Sequence, residues 1–304
     1  MKKFLNVLSY FRNENGNVFV LVAFGMLVLL GFTALVIDGG RLYSEKGKLQ
    51  KAVDAAVLGG GQVLVNDQTQ AKTVAKDLAQ KNTYSLADSD VEVTSTYIKV
   101  TKEVSVPMTF AKAIGIKDVK VKASAKAIVG PLKAGKGITP IAVVKSAVPA
   151  GKELKCESTG QNKGNCGYLD LNGSGSNGLA DGIINGSNVA IDNEFAETET
   201  GQKWGPVKDA FQFLIDSDIN KPQCQSAATA DNSCKRVIFV PIIDSLDYAA
   251  GKSTVKIVGL AAYWIEGITN QKEIKGQFIK MVGPGEIGSI GIGEYNLYGI
   301  KLVE

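Results

Sequence analysis

The chain of 304 residues is long enough for two modest domains, and its 45% hydrophobic and 21% charged residues are ordinary for a folded protein. A net charge of +4 gives no reason to expect nucleic acid as a partner. Histidine is absent, so the commonest general base and the commonest zinc ligand are both missing. Carboxylates are plentiful, as a carboxylate-dependent hydrolase would need, but the sequence shows no placed acid/base pair or metal cluster, so we expect neither an enzyme nor a protein that needs a cofactor.

An apolar run without any charge, VFVLVAFGMLVLLGFTALVI, occupies residues 18–37. A helix rises 1.5 Å per residue, so this run spans about 30 Å, the thickness of the hydrocarbon core of a bilayer. The alternative is a cleaved secretory signal, whose apolar region has only about 7–15 residues and precedes a small-residue cleavage site. Here Asp38 follows and the helical pattern continues, so we expect an uncleaved transmembrane helix at 18–37.

Residues 1–17 form a short basic segment that we place in the cytoplasm, with the bulk of the chain on the other side of the membrane. Four cysteines lie beyond the anchor, at Cys156, Cys166, Cys224 and Cys234. In a chain that crosses a membrane, they favour disulfides in an oxidising compartment over four reduced, buried thiols. Nine residues separate the members of each neighbouring pair, so we expect Cys156–Cys166 and Cys224–Cys234, with the two other connectivities left open.

Residues 38–130 are expected to form a helical extension of the anchor and a small α+β domain. The extension carries one apolar stripe and should end at Gly59-Gly60-Gly61; the stripe consists of Leu42, Leu49, Val53 and Val57. A second helix should run from Asp67, as its cap, to Asn82. Alternation of apolar and polar residues then predicts strands near 98–110 and 119–127, with a turn at Thr101-Lys102-Glu103 and a helical turn at 109–114.

The glycine-rich stretch 130–137 is interpreted as a linker to a β-rich extracytoplasmic domain at 138–304. Apolar runs predict a helix at 206–216 and strands at 141–144, 168–171, 236–243, 254–265 and 274–282. The expected fold class is therefore α+β: a long N-terminal transmembrane helix, a small α+β domain and a β-rich C-terminal domain.

Three short segments imitate ligand-binding loops. The segments 130–137 and 251–253 share a glycine-lysine pattern with phosphate-binding loops, but neither opens a helix whose N–H groups could hold phosphate. The segment 170–175, with Asp181 at the twelfth position, resembles a calcium loop. The same residues make an Asx-rich turn, which is the interpretation we favour. No catalytic, cofactor or metal residue is assigned.

Residues 14–58 resemble the N-terminal segment of the TadE/TadG-like proteins of tight-adherence (Tad, Flp-type) pilus assembly. The resemblance is carried by Gly16, by V-I-D-G-G-R-L-Y at 36–43 and by L-Q-K-A-V-D-A-A-V-L-G at 49–59. The phrase V-P-M-T-F-A-K-A-I-G at 106–115 is similar to the family's usual continuation. Related TadE-type proteins are cleaved like pilins, with Glu five residues after the glycine; Leu21 stands there in this chain, so we expect no cleavage.

The resemblance implies a non-enzymatic, single-pass membrane component of a pilus assembly or secretion system. Its implied partners are other membrane subunits of the complex, pilin-like proteins and membrane lipid. Small residues in the anchor, which let helices approach closely in lipid, favour action by helix association; they are Ala23, Gly25, Gly31 and Ala34. The alternative is a membrane-anchored extracytoplasmic module that binds a surface ligand or calcium.

Overall fold

A computed structural model describes residues 14–148, 153–154, 165–171, 175–190, 195–201, 203–246, 252–269, 273–288 and 295–303. The helices in these ranges are α1 (Glu14–Leu64), α2 (Gln68–Lys81), α3 (Ser176–Asn185) and α4 (Trp204–Asp216). The strands are β1 (Val91–Val93), β2 (Tyr97–Pro107), β3 (Asp118–Ile138), β4 (Val143–Val144), β5 (Glu153–Leu154), β6 (Asn165–Leu169), β7 (Ser187–Ala190), β8 (Phe195–Thr200), β9 (Val237–Ile243), β10 (Thr254–Ile268), β11 (Ile274–Ile279), β12 (Met281–Val282), β13 (Gly285–Ile287) and β14 (Leu297–Leu302). A long apolar helix, a small helix and a large β-rich part confirm the α+β class.

Helix α1 does not end at the three glycines, so that prediction is wrong. A Cβ atom on Gly60 would lie 2.6 Å from Cδ1 of Ile98 and 2.8 Å from the carbonyl oxygen of Ala71. The glycines therefore act as close-packing positions, where α2 and the sheet approach the backbone of α1. Tertiary contact here outweighs the low helix propensity of glycine, about 1 kcal/mol per residue.

Helix α2 forms where the sequence predicts it. The carboxylate of Asp67 accepts N–H groups from Thr69 at 2.7 Å and Gln70 at 3.1 Å, and so caps the first turn. Its buried face consists of alanines, which allow α2 to lie close against α1; they are Ala71, Ala75 and Ala79.

Strands β2 and β3 form a long antiparallel hairpin, paired without a break from Tyr97 opposite Ile128 to Pro107 opposite Asp118. The predicted turn at Thr101-Lys102-Glu103 is wrong, because those residues belong to β2. Strand β3 continues to Ile138, and its later residues pair with β7, β13 and β14. The stretch 130–137 is therefore strand and not linker, since neighbouring strands on both sides satisfy its backbone.

The C-terminal half builds a sheet in the order β3-β9-β10-β11-β5. Helix α4 and strand β9 confirm the predicted helix at 206–216 and the predicted buried strand at 236–243. Phe211 of α4 and Ile183 of α3 pack into a core with Val240 and Tyr263 of the central strands. Strand β14 and helix α3 were not predicted; β14 returns to pair with β3 and so ties the end of the chain to the hairpin.

Candidate functional site at the exit of the anchor helix

The segment 18–37 of α1 is apolar and exposed along its length. Leu21, for example, has 75% of its surface exposed, and none of the most apolar window is buried against the rest of the described chain. The mean hydropathy of this apolar part of α1 is 2.8. Among the described helices, α1 is the one with the length and composition to cross a membrane. Exposing such an apolar surface to water is unfavourable in free energy, so the segment fits single-pass membrane anchoring.

Asp38 follows the last apolar residue of this segment and holds the tip of the β2–β3 hairpin. Its carboxylate accepts backbone N–H groups from Thr109 at 2.8 Å, Phe110 at 3.0 Å and Ala111 at 2.7 Å. The N–H of Ala111, more than the other two, holds the pKa of Asp38 below its ordinary value, and the nearby charge of Arg41 acts in the same direction. Asp38 thereby fixes the backbone at the start of the short 3-10 turn Ala111–Ile114 to the end of the apolar segment.

Further contacts join α1 to the hairpin above this point. Lys46 donates to the carbonyl oxygen of Lys122, and the side-chain amide of Gln50 donates to that of Ser124 at 2.9 Å. These carbonyl groups lie on the side of β3 that faces away from β2, so α1 covers an edge of the strand that would otherwise be open. The phenol of Tyr84 donates to Glu45 at 2.8 Å, which also ties α1 to the chain after α2.

The apolar stripe of α1 is used inside the protein. Leu49, Val53 and Val57 are fully buried, and they share one core with Ile98 and Val100 of β2. These three residues are therefore not available to a partner helix, while Leu42 at the start of the stripe is only partly buried. The segment 18–37 is the continuous exposed apolar surface of α1.

The predicted disulfide between Cys224 and Cys234 is present, with the two Cα atoms 5.4 Å apart. Both cysteines are buried, and the indole N–H of Trp264 donates to the carbonyl oxygen of Cys224 at 2.9 Å. Asp218 lies beside both sulfur atoms, but sulfur in a disulfide offers no thiolate to a metal. The side chains of the other predicted pair, Cys156 and Cys166, are outside the part of the chain that the structure describes.

Part of the segment that resembled a calcium loop lies within the described ranges. Asp181, expected at the twelfth position, lies on α3, where its carboxylate accepts the side-chain amide of Asn185 at 2.7 Å. Asp170 lies 3.7 Å from the ammonium group of Lys252, and residues 172–174 are outside the described ranges. The carboxylate at the twelfth position is thus hydrogen-bonded within α3.

Comparison with protein families gives a match that lies within the anchor helix. Residues 16–63 match the model of a family described as putative Flp pilus-assembly TadE/G-like. The match covers nearly all of α1, from just before the exposed segment to its last buried turn. No significant match exists among curated proteins or among solved structures. The resemblance to TadE/TadG-like proteins is thus confirmed for the anchor helix, and the rest of the chain is interpreted from its own geometry.

Proposed function

We propose that this protein is a single-pass membrane component of a tight-adherence type pilus assembly or secretion system and that it acts by associating with other anchored subunits. The observation that carries the proposal is the exposed apolar segment 18–37 inside the TadE/G-like match at 16–63. The proposed partners are other membrane subunits of the complex and pilin-like proteins. Membrane lipid surrounds the anchor.

The proposed orientation places residues 1–17 in the cytoplasm and residues 38–304 outside it. The disulfide between Cys224 and Cys234 supports this orientation, because disulfides persist in oxidising compartments and are rare in the cytosol. We also propose that the protein works without catalysis. The complete absence of histidine from the sequence supports this view.

Association within the membrane would use the small residues of the anchor. Lipid provides no hydrophobic driving force between helices, so helix pairs in a bilayer rely on close backbone packing at small residues. A Cβ atom on Gly25 or on Gly31 would meet nothing within 4 Å, so both positions are open to a partner helix. At 100° per residue the two glycines lie about 120° apart around the helix, which presents two separate faces.

The test exchanges single glycines in the full chain. We expect Gly25→Leu or Gly31→Leu to reduce piliation and cross-linking to the other membrane subunits, because leucine prevents close backbone approach. Val28→Leu is the matched control, since it adds a methylene within the same segment without filling a small-residue position. If both glycine variants behave like this control, then close helix packing is not the mechanism. If deletion of the gene leaves piliation intact, the pilus assignment itself is wrong.

A further inference from the structure

The tip of the β2–β3 hairpin, residues 108–117, exposes large apolar side chains. Phe110 and Ile116 each have 46% of their surface exposed, and Ile114 has 79%. Hairpin tips in water are normally built from small polar turn residues, so this composition calls for an apolar environment. We propose that the tip is a second membrane contact, which enters the interface of the same bilayer that holds the segment 18–37.

The position of the tip along α1 supports this proposal. Asp38 is the first residue after the apolar segment, and the hydrogen bonds from residues 109–111 hold the tip directly beside it. With the segment 18–37 across the hydrocarbon core, Asp38 lies where that core ends and the headgroup region begins. This region is about 5–8 Å thick on each side of a bilayer, which is within reach of an exposed isoleucine or phenylalanine.

The polar groups of the tip also suit a membrane interface. Asp38 accepts the backbone N–H groups of residues 109–111, so the tip does not carry them unpaired towards the hydrocarbon core, where they would be costly. Lys112 and Lys117 lie in the tip beside the apolar side chains, and Arg41 lies one turn beyond Asp38 on α1. Asp118, at the start of β3, is a nearby acidic group, so the excess of positive charge is small but favours anionic headgroups.

Lipid is the occupant that the geometry favours over another protein, because the tip is continuous with an established apolar segment at the same level. Tyr43, with 85% of its surface exposed, lies on α1 just beyond Asp38. Tyrosine is enriched at membrane–water interfaces, so it marks the same layer independently of the hairpin. A transmembrane helix alone leaves the body free to tilt relative to the bilayer. A second contact beside it would restrict this tilt and keep the tip of the hairpin towards the bilayer.

The proposal rests on the anchor lying in a bilayer and not on a role in pilus assembly. The experiment uses the full chain in nanodiscs of phosphatidylcholine and phosphatidylglycerol, with bromine carried on the acyl chains as a quencher. Ile114→Trp reports on the tip and Phe24→Trp on the anchor. Ile219→Trp reports on an exposed position in the C-terminal half, with 69% of the Ile219 surface accessible against 79% for Ile114. The parent protein supplies the signal of the two native tryptophans, which is subtracted.

We expect the added emission of Ile114→Trp to be quenched, and more strongly by bromine near the headgroup end of the acyl chain than by bromine near its terminal methyl. Phe24→Trp should be quenched and Ile219→Trp should not. An unquenched Ile114→Trp beside a quenched Phe24→Trp would overturn the tip contact and leave the anchor in place. If Phe24→Trp is also unquenched, the anchor is not in the bilayer and the membrane assignment fails with it.

Discussion

Gly60 of α1 offers a quantitative test of how the anchor helix joins the folded body. In Gly60→Ala, the new Cβ atom would meet the carbonyl oxygen of Ala71 at 2.8 Å, and a backbone atom cannot move away as a side chain can. Overpacking of this kind costs about 1–3 kcal/mol. Alanine also stabilises the helix by about 1 kcal/mol relative to glycine, so the net change is a destabilisation of about 0–2 kcal/mol.

Gly47→Ala is the matched control on the same helix. Nothing lies within 4 Å of a Cβ atom at this exposed position, so only the gain in propensity remains, and we expect a stabilisation of about 0.5–1 kcal/mol. Because the propensity term is common to both variants, the difference between them isolates the packing cost, about 1–3 kcal/mol. Hydrogen exchange of the buried amides of α2, measured for the full chain in detergent micelles, reports this difference. Equal protection in the two variants would refute the close approach of α2 to Gly60.

Two further predictions concern other contacts. Asp38→Asn should speed hydrogen exchange at amides 109–111. In the parent protein, the same loss of protection should appear only in acid, because the pKa of Asp38 is lowered from 3.8. A lowered pKa gives a contribution that is present above the unfolded pKa and lost as the pH falls through the folded one. Replacing Cys224 and Cys234 by alanine should lower the free energy of unfolding in urea by about 2–3 kcal/mol, the loop-closure value for a separation of 10 residues.

Each of these predictions has an internal control. Amides of α2 should exchange equally fast in Asp38→Asn and the parent, since Asp38 does not contact them; a uniform acceleration would mean global destabilisation and contradict a local clamp. For the cysteines, reductant should abolish the difference between the parent and the double variant, because it also opens the predicted Cys156–Cys166 bond in both. A parent whose stability is unaffected by reductant would show that the bond contributes nothing.

The sequence predicted the elements whose signal is local. The apolar segment 18–37, the cap at Asp67 and the buried strand at 236–243 all follow from patterns within one element. The wrong predictions share a cause. Glycine or charged residues were interpreted as the end of a helix or strand, although contacts with residues far along the chain allow the element to continue. Thr101 remains in a strand because Ser124 lies opposite it with hydroxyl oxygens 3.1 Å apart. Residues 130–137 remain in β3 because β7, β13 and β14, all later in the chain, pair with it.

The clamp at Asp38 could not be predicted for a related reason. An acidic residue after an apolar run is ordinary, and its three partners lie 71–73 residues further along the chain. The exposed side chains of the hairpin tip carried a stronger signal, since Phe110, Ile114 and Ile116 are large apolar residues in a segment expected to be a short turn. Their meaning depends on the depth at which the tip lies, and this depth is set by the contact with Asp38.

Because α1 is continuous, the orientation of the anchor is coupled to the orientation of the folded body. The buried turns around Val53 and the clamp at Asp38 fix the helix to the hairpin, so each face of the segment 18–37 has a defined direction relative to the folded body. If partner subunits recognise that direction, the effect of inserting leucines after Ile37 on association should depend on how far the insertion rotates the anchor. Two added residues turn the anchor by about 200° relative to the body, whereas four turn it by about 400° and restore its faces to within about 40°.

We therefore expect the two-residue insertion to reduce cross-linking to partner subunits more than the four-residue insertion does. A change in height alone would give the opposite order, because four residues lift the body by about 6 Å and two by about 3 Å. Membrane extraction of both variants establishes equal insertion before the comparison. A loss that grows steadily with the length of the insertion would show that partners sense the distance from the bilayer and not the orientation of the anchor.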